Sequence, residues 1–266
     1  MLRSRLITGS IMILLLIMVL LMDSIALQIV AFLAGLFVLF EVYKATGIIK
    51  KGFLFLLGFF PLIMLFITDV SVMGLLVFLY IVLLFAFMMI NSKNIKLRDI
   101  ALAFFIGCMI TFMVKHLIML RQLSLGKMLI WAVFVSACMS DTFAYVSGML
   151  FGKHKLCPVI SPKKTIEGAV GALLGTMISM LIYGGILALF CSCKVNFLLM
   201  ALLGIVSSLF AQIGDLSASI IKRECNIKDF GSILPGHGGF FDRFDSILFV
   251  SPIIYYAMIL LPIVTI

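Results

Sequence analysis

Apolar residues run in long blocks along almost the whole chain, and the polar ones are swept into the gaps between them. Blocks of about 17–25 apolar residues match the thickness of a bilayer when coiled as helices. Nine candidates stand at 6–22, 24–43, 53–69, 71–90, 100–118, 127–147, 168–190, 196–221 and 246–265, the fifth ending near Lys115-His116. Only Asp69 and Val70 separate the third block from the fourth, so a tight hairpin or a re-entrant segment is open there. The period of two that a membrane barrel requires is absent. With no water in the hydrocarbon to satisfy a free backbone, each block must close its own hydrogen bonds, so helices are the expected structure. The expected fold class is all-α, a polytopic integral membrane protein with about nine transmembrane helices and a cytoplasm-facing polar cavity.

Composition supports a membrane protein independently: 64% of residues are hydrophobic and 12% charged, with a mean hydropathy of +1.32, outside the soluble globular range. The charges are unevenly placed. With nine spans, the loops on the side of the N-terminus carry Arg3, Arg5, Lys44, Lys50, Lys51, Lys93, Lys96, Arg98, Lys153, Lys155, Lys163, Lys164, Lys222, Arg223, Lys228 and Arg243, sixteen of the 20 basic residues. Lys115, Arg121, Lys127 and Lys194 fall on the other side. Positive charge stays inside, so the N-terminus and the polar loops near 153–164 and 222–243 are expected in the cytoplasm. That bias, and not nucleic-acid binding, explains the net charge of +9. Residues 1–22 resemble a signal sequence but show no small-residue cleavage site before the next block, so an uncleaved helix is expected. The six cysteines form no Cys-x-x-Cys pair and are expected to be reduced and mostly buried.

The polar residues of the last third concentrate between 215 and 245. Asp215, Ser219 and Lys222 follow i, i+4, i+7 spacing and share one helix face. Asp215 falls a turn or two inside the membrane boundary, where a lone carboxylate is costly; a metal cation, Lys222 or another basic group would meet it. Asp242 and Asp245 open the last block at i, i+3 spacing, as metal ligands or as acidic residues favoured by a helix N-terminus. Gly236-His237-Gly238-Gly239 removes side chains, so that a ligand can approach the backbone. A second polar stretch holds Asp141 and Tyr145, one turn apart, then Gly152-Lys153-His154-Lys155 and Ser161-Pro162-Lys163-Lys164-Thr165 ahead of Glu167. Thr165 or Ser161 is placed to cap the following helix. The four lysines read either as a phosphate cradle or as a solvated loop. Gly168, Gly171 and Gly175 form one stripe, which suits close helix packing. Glu41, near Lys44 in an apolar run, reads as a site residue or, as the preferred expectation, one of a snorkelling interfacial pair.

These two stretches resemble the phosphatidate cytidylyltransferases, also called CDP-diacylglycerol synthases. The pattern falls on Ser219, Lys222-Arg223, Lys228-Asp229, Gly231, Pro235, His237-Gly238-Gly239, Asp242-Arg243 and Asp245, about a dozen identities within 27 residues. A second block of the resemblance runs through Asp141-Thr142, Ala144-Tyr145, Gly148, Phe151 to Leu156, Ile160 to Thr165 and Glu167-Gly168. It spans about residues 130–250, so 126–266 is expected to be the catalytic part and 1–125 a scaffold or dimerisation part. The resemblance implies transfer of CMP from CTP to phosphatidic acid within the bilayer, in a bacterial-type inner membrane. It implies Asp215 and Asp242 as metal ligands, with Asp245 and Asp141 as further candidates, and Mg²⁺ as the ion, since hard carboxylate oxygens suit it. A monovalent cation such as K⁺ is a candidate companion. Asp215, Lys222, Arg223, Asp242 and His237 are the implied catalytic group, His237 as a hydrogen-bond donor or loop-shaping residue. Ser219, Lys228, Asp229, Gly238, Gly239, Arg243, Lys153, His154, Lys155, Ser161, Lys163 and Lys164 would serve the substrates. A homodimer is left open by the abundance of Gly and Phe.

Other nucleotide chemistries fit less well. No Gly-x-x-x-x-Gly-Lys-Ser/Thr or strand-borne Gly-x-Gly-x-x-Gly occurs. A CTP-using lipid kinase would share the basic clamps but not the 219–245 pattern. A transporter would place ionisable residues near the centre of several spans in two related halves, and here they gather toward the C-terminus.

Overall fold

The structure is a computed structural model and describes residues 14–191, 193–231 and 238–265. Its helices are α1 (Ser24–Ala45), the short α2 (Phe53–Leu57), α3 (Val70–Ile90), α4 (Leu97–Gln122), α5 (Gly126–Phe151), α6 (Ile166–Phe190), α7 (Phe197–Glu224) and α8 (Phe241–Leu260). All but α2 are long and apolar enough to cross a membrane, which gives 7 candidate spans among the described residues. Large apolar side chains stand exposed along them, Phe78 at 61% and Ile90 at 83%, as a hydrocarbon surrounding requires. The protein is thus an all-α polytopic membrane protein. Of the expected first block, residues 14–21 are helical, Met22 is a bend, and residues 6–13 lie outside the described residues. The chain forms two compact units, residues 1–118 with 225–242 and residues 119–224 with 243–266.

In the first unit the expected span at 53–69 is broken. The helix α2 stops at Gly58, and a 3₁₀ stretch, Phe60–Phe66, follows with Pro61 at its start. A broken backbone inside hydrocarbon must find donors for its free carbonyls. Three buried or partly buried side chains supply them. The Tyr43 hydroxyl lies 3.0 Å from Gly58 O and 2.9 Å from Ala103 O. Gln28 Nε2 donates to Leu65 O at 2.7 Å. Lys115 Nζ donates to Leu65 O at 3.0 Å and to Ile67 O at 2.6 Å. Lys115 therefore belongs inside α4, which continues to Gln122, and not to a loop. Gly58 has to be glycine because a Cβ would stand 2.5 Å from the Tyr43 ring.

The second unit is built on the bundle of α5, α6 and α7. The glycine stripe of α6 does what its spacing suggests: a Cβ at Gly171 would meet Ser147 Oγ at 2.0 Å, and one at Gly175 the Phe143 ring at 2.1 Å. Small residues let these helices pack where hydrophobic driving force is absent. Polar contacts add to them, with Ser140 Oγ 2.9 Å from Ser208 Oγ and Gln212 Nε2 donating to Ala169 O at 3.3 Å. Between α5 and α6 the chain makes an antiparallel hairpin, β1 (Lys155–Cys157) with β2 (Ser161–Thr165). A two-residue pair, β3 (Lys194–Val195) with β4 (Val264–Thr265), ties off the far end of the chain. The six cysteines are free as expected, but only Cys193 is buried, and Cys138 is exposed.

Replacing Lys115 by Met leaves the carbonyls of Leu65 and Ile67 without that donor, at a cost of about 1–3 kcal/mol. The expected outcome is a lower unfolding midpoint in detergent, lowered again by adding Gln28→Leu. An unchanged midpoint in both variants would show that the broken segment does not depend on these caps.

Candidate active site

A cavity of about 370 Å³ opens in the second unit among α5, α6, α7 and the hairpin. Asp141 and Tyr145 reach it from α5, Lys163 and Lys164 from β2, and Gln212 and Asp215 from α7. Lys164 Nζ lies 2.6 Å from Asp215 Oδ2, with both side chains partly open. Asp141 feels Asp215 as a like charge and Lys164 and Arg243 as opposing ones. Asp245, on α8, is 7% exposed, and its Oδ1 accepts from Ser246 N at 2.7 Å. Asp215 and Asp141 repel it, and Lys222 attracts it. The close approach of α7 to Asp245 depends on Gly214, where a Cβ would stand 2.7 Å from Asp245 O. Three carboxylates and three or more cations are therefore held in one electrostatic neighbourhood by helices that cannot slide apart without opening the glycine contacts.

The hairpin is fastened rather than loose. Thr165 Oγ1 accepts from Gly168 N at 3.1 Å and caps α6, as its position ahead of Glu167 suggests. Glu167 accepts from Lys153 N at 3.1 Å and pairs with His154 Nδ1 at 2.6 Å. Gly148 and Gly152 leave room for Thr165, whose Oγ1 would lie 3.0 and 2.9 Å from a Cβ at those positions. Arg223 Nε donates to Ile160 O at 3.3 Å, so it braces the hairpin turn. Lys153, His154 and Lys155 are exposed where the chain enters β1, at the end of the hairpin held by Glu167, while Lys163 and Lys164 face the cavity. Ser161 is partly exposed on β2, and Ser219 is buried in α7.

The first unit holds others of the expected residues, from Lys228 to Asp242. Asp242 Oδ2 accepts from Phe230 N and Gly239 N, each at 3.0 Å. Gly238 has a φ of 84°, a left-handed conformation that suits glycine. A Cβ on it would come within 3.3 Å of both Asp229 Oδ1 and Asp242 Oδ2. Lys228 and Asp229 are exposed in the preceding turn. His237 and Pro235 lie outside the described residues.

The expectation for Glu41 is overturned. Instead of snorkelling beside Lys44 it is 1% exposed, and its carboxylate accepts from the amides of Phe240 and Phe241. Gly239 is small partly for its sake, not only for a ligand. Gln212 was not singled out by spacing either; an amide one turn ahead of Asp215 on a spanning helix is the signal that points to it.

The arrangement fits a hard cation in kind. Among the described residues no three His, Cys, Asp or Glu side chains form a ready-made metal cage. The donors of Asp141, Asp215 and Asp245 are all carboxylate oxygens, and the Lys164 ammonium stands beside Asp215, where positive charge is favoured.

Comparison with known proteins agrees in extent with the whole chain, beyond the two motif blocks. A phosphatidate cytidylyltransferase of Staphylococcus epidermidis is 34% identical over 265 residues, covering 97% of this chain and 99% of the relative. The enzyme of the same name from Staphylococcus haemolyticus is 46% identical over 126 residues, 47% of each chain. That of Staphylococcus aureus strain COL is 44% identical over 126 residues, again 47% of each. The model of the cytidylyltransferase family matches residues 3–261, and the chain belongs to that family.

Proposed function

We propose that this protein transfers the CMP moiety of CTP to phosphatidic acid, giving CDP-diacylglycerol and pyrophosphate. The observation that carries the reading is the meeting of Asp141, Asp215, Lys163 and Lys164 on one cavity among spanning helices, in a chain of this family. The relatives' names supply the lipid substrate. Charge bias supports an inner-membrane placement with the N-terminus and the site in the cytoplasm.

In the proposed step an oxygen of the lipid phosphate attacks the α-phosphorus of CTP. A bond forms from that oxygen to phosphorus, the bond to the bridging oxygen of the β-phosphate breaks, and pyrophosphate leaves with the electron pair. No proton has to be removed, because a phosphate monoester is anionic near neutral pH. Lys163 and Lys164 hold phosphates over the cavity, and Lys222, Arg223 and Arg243 add positive charge to the same unit; Lys228 is a phosphate candidate on the motif alone. Ser219 and the Gly238-Gly239 backbone orient the reactants. The lysines at the entry to β1, Lys153 and Lys155, with His154, steer the lipid phosphate. Mg²⁺ would be held by one or two carboxylates drawn from Asp215, Asp141 and Asp245 together with substrate phosphates; Asp242, in the first unit, is a candidate ligand on the motif alone, and a monovalent cation such as K⁺ is a companion at the same class of donor. When bound, Mg²⁺ screens the phosphate charges and favours the in-line transition state. Lys164, 2.6 Å from Asp215 Oδ2, would turn to phosphate when substrate arrives.

With α-labelled CTP and phosphatidic acid, Asp215→Asn lowers formation of chloroform-soluble CDP-lipid by about 100-fold or more. Wild-type rates in that variant would remove Asp215 from the site. Lys164→Met raises KM for CTP by roughly tenfold, the loss of one charge-assisted contact; an unchanged KM would assign Lys164 to structure alone. Chelation of divalent cations stops turnover, and Mg²⁺ restores it while Zn²⁺ does not. Full activity under chelation would contradict the metal assignment.

A further inference from the structure

Glu41 sits on α1 among apolar neighbours and is 1% exposed, a place where a carboxylate needs a strong reason to be. Both of its oxygens are engaged by backbone some 200 residues away: Oε1 accepts from Phe240 N at 2.9 Å and Oε2 from Phe241 N at 2.8 Å. These amides stand at the opening of the helix that starts at Phe241, whose first N–H groups have no partner within the helix. A negative charge there is doubly favoured, by the charge-assisted hydrogen bonds and by the helix dipole. The loop is shaped to admit it. A Cβ at Gly231 would stand 2.3 Å from Glu41 Oε1, and one at Gly239 2.7 Å from Oε2. Phe37, one turn before Glu41, packs its ring 5.9 Å from that of Phe240.

Asp242 holds the same stretch from the other side. Its Oδ2 takes the amides of Gly239 and Phe230, so Gly239 lies between two carboxylates, one of which belongs to the proposed metal-ligand set. A shift of the backbone at 239–241 therefore carries Asp242 with it.

We infer that Glu41 is a positioning residue for the transfer reaction: it fixes the backbone of Gly239 to Phe241, and through it the carboxylate of Asp242, without touching substrate. The inference rests on the function proposed above. A glutamine in its place keeps the shape but offers one acceptor oxygen, so one of the two amides would face an NH₂ donor. An aspartate keeps the charge but is a methylene short of the amides.

The test uses full-length Glu41→Gln and Glu41→Asp proteins in detergent beside wild type. Expected is a fall in kcat for CDP-lipid formation of roughly 10- to 100-fold, the range seen when a residue that orients a ligand is lost. KM for CTP stays within about twofold, because the phosphate-holding lysines are untouched. Backbone amide exchange across 238–241 accelerates, and that across α3 does not. Gly231→Ala, which pushes on the same carboxylate, lowers kcat in the same way, and the double variant is no worse than the worse single one. Wild-type kcat in Glu41→Gln overturns the inference. So does a loss of activity accompanied by faster exchange throughout the chain, which would make Glu41 a stabilising residue only. If wild-type protein itself makes no CDP-lipid, the functional reading has failed, and exchange at 238–241 still decides the clamp: acceleration in Glu41→Gln upholds it and no change refutes it.

Discussion

A polar group in hydrocarbon must be met by a partner from its own chain, and most of what is distinctive in this protein follows from that requirement. The broken segment at 53–66 persists because Tyr43, Gln28 and Lys115 reach its carbonyls. The serines of α5 and α7 answer each other for the same reason. With the broken segment and these serines met in this way, the helices are fixed closely enough to hold charges in chosen places.

The carboxylates are met in two different manners, and the difference bears on their roles. Glu41 is satisfied by backbone amides, partners that cannot leave without moving the chain. Asp215 is satisfied by Lys164, a flexible side chain that is still partly exposed and can exchange an aspartate for a phosphate. A fixed partner suits a residue that sets geometry, whereas an exchangeable one suits a residue that works on a ligand. Asp245 lies between the two, buried on α8 with a local backbone contact and in the field of both Asp215 and Lys222.

Much of this was legible in the sequence because membrane helices announce themselves by length and because the polar residues are few. The stripe of Gly168, Gly171 and Gly175 was readable as packing from spacing alone, and the cap was narrowed to Thr165 or Ser161, of which the structure uses Thr165. Asp141, Asp215 and the Lys163-Lys164 pair lie far apart in sequence, and their resemblance to one family brought them together before any coordinates did. What was not legible depended on partners distant in sequence. An apolar block interrupted by Gly58 and Pro61 still has the composition of a span, and only Tyr43 and Lys115 make its break tolerable. Glu41 looks like an interfacial residue until the amides of Phe240 and Phe241 are placed beside it.

The central claim is that the α-phosphoryl group of CTP, with its nucleoside, passes to the lipid. The most direct measurement runs the purified protein with Mg²⁺ and phosphatidic acid on CTP labelled either at the α- or at the γ-phosphate. The account predicts α-label in a chloroform-soluble product and γ-label in pyrophosphate. Label from the γ-position in the lipid would make the protein a lipid kinase, and no label in lipid from either substrate would contradict nucleotidyl transfer altogether.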